Sequence, residues 1–263
     1  MFTASCCAAA AEKGQIMRSH IIRQFSLVVV LSLSLTPAVT GQPAQSASPA
    51  SGNKVNEVEL ALAAAGAGSA DEIRSRLFTH SITVFNAEFC AQAVAALPAS
   101  LHKRRITQSK LLSRVETIFH QTLEAHGRRG KPDLFLFQDD VPSATLWRGC
   151  VLVLSDGLAD PLYDGELAGV IAHELGHSYF EDEMATAHRV KDARAMRVVE
   201  LKCDAVAILS LKLLNYDPAL YLRGLQRIQV IIKRKSLSSG IFQSHPELVA
   251  RAQFSQRFIK SLG

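Results

Sequence analysis

The chain has 263 residues, of which 48% are hydrophobic and 20% charged, with a formal net charge of +5. Enough apolar residues are present for one sizeable core. In residues 1–41 three bases (Lys13, Arg18, Arg23) and one acid (Glu12) account for two of the positive charges; the +3 that remains is too mild to indicate a nucleic-acid-binding module.

Residues 1–16 precede a better start at Met17 and read as a misassigned start or an unstructured extension. From Met17 the chain carries Arg18 and Arg23, an apolar run Phe25–Leu35, and then the small residues Ala38, Thr40 and Gly41. This is the pattern of a secretory signal peptide with cleavage near Gly41. The apolar run is shorter than the ~18 residues needed to span a bilayer, and no cysteine follows it as a lipid acceptor. The expectation is an exported protein, periplasmic or secreted, with no transmembrane segment after leader cleavage. Residues 42–56 are rich in Pro, Ser, Ala and Gly without apolar period and read as a flexible linker, leaving 57–263 as one domain.

Within that domain, 57–68 is open: its alanines favour helix, and Gly66 and Gly68 cut it short. A short helix or strand is expected near 72–85, then a helical stretch toward Leu97 that Pro98 closes. Residues 107–127 form an amphipathic helix, with Leu111, Leu112, Val115, Ile118, Phe119 and Leu123 on one face and Gly127 at its end. Two apolar runs, 134–137 and 150–154, predict buried strands separated by a polar loop, and Ser155-Asp156-Gly157 turns the chain onward.

The next segment carries the chemistry. Leu167, Val170, Ile171 and Leu175 recur at helical spacing behind Asp164, read as an N-cap, so a helix is expected over about 165–180. On it His173 and His177 lie one turn apart on one face. Two imidazoles so presented suit a zinc ion at ~2.0–2.1 Å, and Glu174 can reach a water on the metal's open position. This is the HExxH arrangement of a zinc hydrolase.

Beyond it, Ala185–Leu214 reads as one long helical segment with Val198, Leu201, Ala205, Ile208, Leu209 and Leu213 facing the core; it stops at Asn215-Tyr216-Asp217-Pro218. A helix over about 218–233 and a last helix in SHPELVARAQFSQRFIKSL complete the chain.

The third ligand must come from another element. Glu181 shares the histidine face but lies too far along a straight helix, at ~1.5 Å rise per residue, to converge on the same ion. The metzincin pattern fails, since Glu183 stands where a third His would be and Phe180 where Gly is required. Glu200 is the best candidate. Asp204, one turn later, is placed to hydrogen-bond a ligand histidine and set its tautomer. Both sit among core residues, where an ionised carboxylate is costly without a partner or a metal.

DGELAGVIAHELGH, followed by Glu200xxxAsp204 and a late Ser244-His245-Pro246, resembles the gluzincin metallopeptidases that include the CAAX prenyl endopeptidases and the HtpX-like heat-shock proteases, over about 107–263. The resemblance implies an α+β, predominantly helical zincin-type fold with a small sheet beside the HExxH helix. It also implies zinc bound by His173, His177 and Glu200, Glu174 as general base, Asp204 behind a ligand, and His245 near the substrate. The edge strand of the family's sheet aligns the peptide, so 142–154 would line the cleft. Where the family often has Ala before the Asp, this chain has Cys203, whose thiolate could compete for zinc. Without transmembrane helices after the leader, the soluble, exported branch is the closer match, and prenyl-protein processing is disfavoured.

The expected activity is metal-assisted hydrolysis of extended or misfolded polypeptides in the cell envelope. Glu174 would act as base and then acid, and His245 would help stabilise the oxyanion. The competing reading is a zinc-binding holdase or adaptor without turnover; the intact Glu174 argues against it. In an oxidising compartment Cys90 and Cys150, on elements expected to pack, would pair and leave Cys203 buried and free.

Overall fold

Helix α1 (Glu57–Ala65) settles the open reading of 57–68. The Asn56 side chain accepts from the Val58 N–H at its start, and Gly66, at φ 76°, ends it. The structure, a computed structural model, describes residues 56–66, 68–78, 86–127, 133–235 and 248–262. The leader, the linker up to residue 55 and His245 lie outside the described residues.

Helix α2 (Ala70–Leu77) decides the choice between helix and strand in its part of the chain. Ser69 and Glu72 form a reciprocal capping box, with the Ser69 N–H donating to Glu72 and the Glu72 N–H to the Ser69 hydroxyl. Helices α3 (Ala87–Ala95) and α4 (Ala99–His102) flank the expected break at Pro98. The amphipathic helix follows as α5 (Lys110–Ala125): the Ser109 hydroxyl accepts from the Leu112 N–H, and Val115, Ile118, Phe119 and Leu123 are buried.

Three strands form one sheet: β1 (Asp133–Phe137), β2 (Ala144–Trp147) and β3 (Val151–Ser155), in the order β1-β3-β2. β1 runs parallel to β3 and β2 antiparallel to it, with Leu136 opposite Leu154 and Leu146 opposite Leu152. β2 corrects the reading of 138–149 as a polar loop. It is four residues long and pairs on one side with β3, with Thr145 exposed, so it lacks the continuous apolar run that marked the other two strands. β1 and β3 are covered on both faces: Leu136, Leu152 and Leu154 join the main helical core, while Phe135, Phe137, Val151 and Val153 pack in a second cluster with Cys90, Ala93 and Leu97. The outer edge of β1 is occupied, since the Ile106 N–H donates to the Leu136 carbonyl and the Gln138 N–H to that of Arg104. Cys90 and Cys150 are joined by a disulfide at a Cα–Cα distance of 5.6 Å, as expected. Beside it the Trp147 indole N–H donates to the Ala93 carbonyl at 3.0 Å, so two contacts tie β2 and the turn after it to α3.

A single turn, α6 (Asp156–Ala159), leads to α7 (Asp164–Gly176), which continues as a 3-10 turn, His177–Tyr179. The N-cap is Tyr163, not Asp164: the Tyr163 N–H donates to Glu166, and Asp164 instead pairs with Arg114 at 2.7 Å. The segment expected as one long helix is two, α8 (Glu181–Arg189) and α9 (Ala193–Leu213). Lys191 takes φ 55°, and Asp192 caps α9 by accepting from the Arg194 and Ala195 N–H groups. An Asx cap outweighs continuous helical periodicity there. Helices α10 (Ala219–Arg234) and α11 (Leu248–Ser261) close the chain.

α7 is the centre of this predominantly helical α+β fold. Every residue from Gly165 to Gly176 is buried, and the helix lies against α5, α9, α10 and β2. α9 approaches it closely at Gly176, where an added Cβ would stand 3.2 Å from the Cα of Cys203. Among the described residues no helix is long and apolar enough to cross a membrane.

Candidate metal centre

His173 and Glu174 occupy the last turn of α7, and His177 opens the 3-10 turn. The two imidazoles meet edge to face, with centroids 5.1 Å apart. Tyr179 fixes that turn from behind: its hydroxyl is 2.9 Å from Nδ1 of buried His126, whose Nε2 is 2.7 Å from the Ser210 hydroxyl of α9, and Phe78 stacks on both rings. Burying a polar triad is tolerable here because each member has partners.

From α9, Glu200 faces both histidines. Its Oε2 lies 3.4 Å from Nε2 of His173 and its Oε1 3.8 Å from Nε2 of His177. Two ligand atoms each ~2.0–2.1 Å from a tetrahedral ion stand about 3.3 Å apart, so these separations fit a shared metal. Glu174 is also near: one ligand atom from each of His173, Glu174 and His177 lies within 4.8 Å of the others, so proximity alone admits either carboxylate. The approach of Glu200 to both Nε2 atoms, at 3.4 and 3.8 Å, favours it as the ligand, leaving Glu174 beside the open position. The His177 side chain is 25% exposed and that of His173 5%, so solvent reaches the site from the His177 side. Glu181 opens α8 after the turn and is exposed, away from this convergence.

Behind His173 the sequence reading is incomplete. Asp204 is in the expected place, with Oδ1 2.9 Å from Nδ1 of His173. Two further buried residues close the cluster. The Tyr221 hydroxyl, from α10, is 2.9 Å from the same Nδ1 and donates to Asp204 at 2.5 Å. Arg251, from α11, donates through Nε to Oδ2 at 2.9 Å and through Nη2 to Oδ1 at 2.5 Å, and its Nη2 also donates to the Tyr221 oxygen. Burial opposes ionisation of Asp204, but the Arg251 charge and the hydrogen bonds from His173 and Arg251 overcome it and hold the carboxyl at about 2. Burial likewise raises the Tyr221 phenol well above its usual value, keeping it a neutral donor. A sequence signal existed for both: Tyr221 shares a stripe with buried Gly224, Ile228 and Ile232, and Arg251 one with buried Phe254, Ser255 and Phe258. A cation on a core stripe needs a buried partner.

Cys203 lies on the Nδ1 side of His177. Its sulfur is 3.6 Å from Nδ1 of His177, not on the Nε2 that faces Glu200. Burial, reinforced by the Glu200, Asp204 and Glu174 carboxylates, pushes its thiol pKa well above the ordinary value, so without a metal it stays protonated.

Both Nδ1 atoms are thus engaged by protein while both Nε2 atoms face a carboxylate, a nitrogen and oxygen donor set suited to zinc. Residues 109–195 match the family model of peptidase family M48. No curated protein matches the chain. The matched span covers less than half of the chain, from the start of α5 to the start of α9, and includes His173, Glu174 and His177. It supports a metallopeptidase, with the small sheet and buried HExxH helix of a zincin-like domain.

Proposed function

We propose that the chain is a zinc-dependent endopeptidase. One zinc ion is held by His173, His177 and Glu200, with Asp204 behind His173 and Glu174 as the catalytic base. The observation that carries this reading is the Glu200 carboxylate set against both Nε2 atoms, with Glu174 on the adjacent turn. The metal, when bound, supplies an acidified water and a Lewis acid for the peptide carbonyl. Glu174 takes the proton from the attacking water and returns it to the leaving amine. The buried walls of α7 and α9 exclude water from the His173 side of the site and strengthen each charge interaction there.

The substrate is an extended or misfolded polypeptide that adds to the sheet along β2. That strand is at the sheet's edge, lies against α7, and is anchored to α3 through Trp147 and the disulfide. His245 stands near the bound peptide in this reading, by the resemblance to HtpX-like and CAAX-type gluzincins. The signal-peptide pattern of the leader supports export, and the role proposed for the enzyme there is protein quality control in the cell envelope. The test is metal analysis of the purified mature protein beside casein cleavage with and without chelator. Zinc near one equivalent and chelator-sensitive cleavage are expected; zinc without cleavage would favour a holdase.

A further inference from the structure

We propose that Tyr221 and Arg251 are positioning residues for His173, so that metal affinity depends on the docking of the C-terminal helix α11. The proposal rests on reading His173, His177 and Glu200 as a zinc site.

The cluster is shut off from water, so its donors and acceptors must satisfy one another. An ionised carboxylate offers about four acceptor positions. Asp204, fully buried, receives Arg251 Nε on Oδ2, and on Oδ1 Arg251 Nη2, the Tyr221 hydroxyl and His173 Nδ1. The phenol has a single hydrogen, and it lies on Asp204; its oxygen accepts from Arg251. The guanidinium has only donors. Nδ1 of His173 faces two acceptor oxygens and, at 3.4 Å, Nη2 of Arg251. The two hydrogens of Nη2 are directed to Asp204 and Tyr221, so only a hydrogen on Nδ1 satisfies the whole cluster. The lone pair available to a metal then sits on Nε2, the nitrogen turned toward Glu200.

Asp204 alone does not secure this arrangement. A buried carboxylate without its cation is strongly disfavoured, and without the phenol the imidazole loses the second group that fixes its ring plane. The ring of Tyr221 also lies nearly parallel to that of His173, at 20° and 6.1 Å between centroids, and bars rotation toward α10. Arg251 is contributed by the last helix of the chain and Tyr221 by the one before it, so the ligand is oriented only when both have docked on α7 and α9. Partners of this kind are typically worth 10–100-fold in metal affinity.

The experiment measures the zinc dissociation constant by chelator competition for the full mature chain and for Tyr221→Phe, Arg251→Lys, Arg251→Met and Ile232→Val. Ile232 is a core residue of α10 on the same helix as Tyr221 and serves as the packing control. Circular dichroism and thermal melts establish that each variant is folded. The expected result is zinc binding weakened about 10–100-fold in Tyr221→Phe and Arg251→Met, partly recovered in Arg251→Lys, and parental in Ile232→Val. Should Arg251→Met not fold, Tyr221→Phe, which removes only the hydroxyl, decides. Parental affinity in folded Tyr221→Phe, or an equal loss in Ile232→Val, overturns the proposal. A parent chain that binds no zinc overturns the metal-site reading itself, and this inference with it.

Discussion

Oε2 of Glu200 lies 3.4 Å from Nε2 of His173, across the interface between α9 and α7. That contact joins the HExxH helix to a residue beyond the span matched by the family model, and it is the basis for assigning Glu200 rather than Glu181 as the third ligand. Glu200→Gln should lower zinc content and peptidase activity together, because a neutral amide is a poor replacement for an anionic ligand. Glu181→Gln, at an exposed helix start, should change neither. Metal analysis by inductively coupled plasma mass spectrometry beside the casein assay checks both, and full zinc occupancy in Glu200→Gln would remove it from the ligand set.

The His173 cluster makes stability depend on pH in a way that metal should abolish. In chelator-stripped protein burial lowers the His173 pKa, but the hydrogen bonds to Asp204 and Glu200 prevail and raise it from 6.5 to about 9. A group whose folded pKa is raised contributes stability that is fully present below about 6.5 and is lost as pH rises through about 9. Zinc on Nε2 would take the place of that proton. Melting temperatures measured from pH 6 to 10 should therefore fall more steeply with excess chelator than with zinc, and parallel curves would contradict the assignment.

Cys203 and the disulfide predict the thiol chemistry. Buried and kept protonated, Cys203 should resist alkylation in the native state and react only on denaturation, measurable with a chromogenic thiol reagent. Cys203→Ala should keep its zinc. Replacing Cys90 and Cys150 by serine should cost about 2–4 kcal/mol in denaturant unfolding and leave zinc content intact. The bridge lies in the cluster on the face of the sheet opposite the one that joins the core around α7. Loss of zinc in that double variant would show that the two faces are coupled.

Much of the site could be read from residue spacing because one helical turn brings His173 and His177 to one face, a local relation. Glu200 and Asp204 were legible for a different reason, as carboxylates embedded in a core stripe that need a reason to be there. Tyr221 and Arg251 were missed: their spacing put each on a core stripe, but which buried group they meet depends on how three helices pack, and spacing does not report that. The same limit explains β2: Ala144–Trp147 is a strand because β3 lies beside it, not because of its own pattern. At Lys191 and Asp192 the signal was local but weaker than the apolar period on both sides, so two helices read as one.

The central claim is that Glu174 does the proton transfer at a site whose ligands lie elsewhere. The measurement is hydrolysis by Glu174→Gln together with its zinc content. With His173, His177 and Glu200 unchanged, the variant should be folded and fully loaded, yet its turnover should fall by about 10²–10⁴-fold, the usual worth of general acid–base help. Cleavage of casein at the parental rate by zinc-loaded Glu174→Gln would contradict the account.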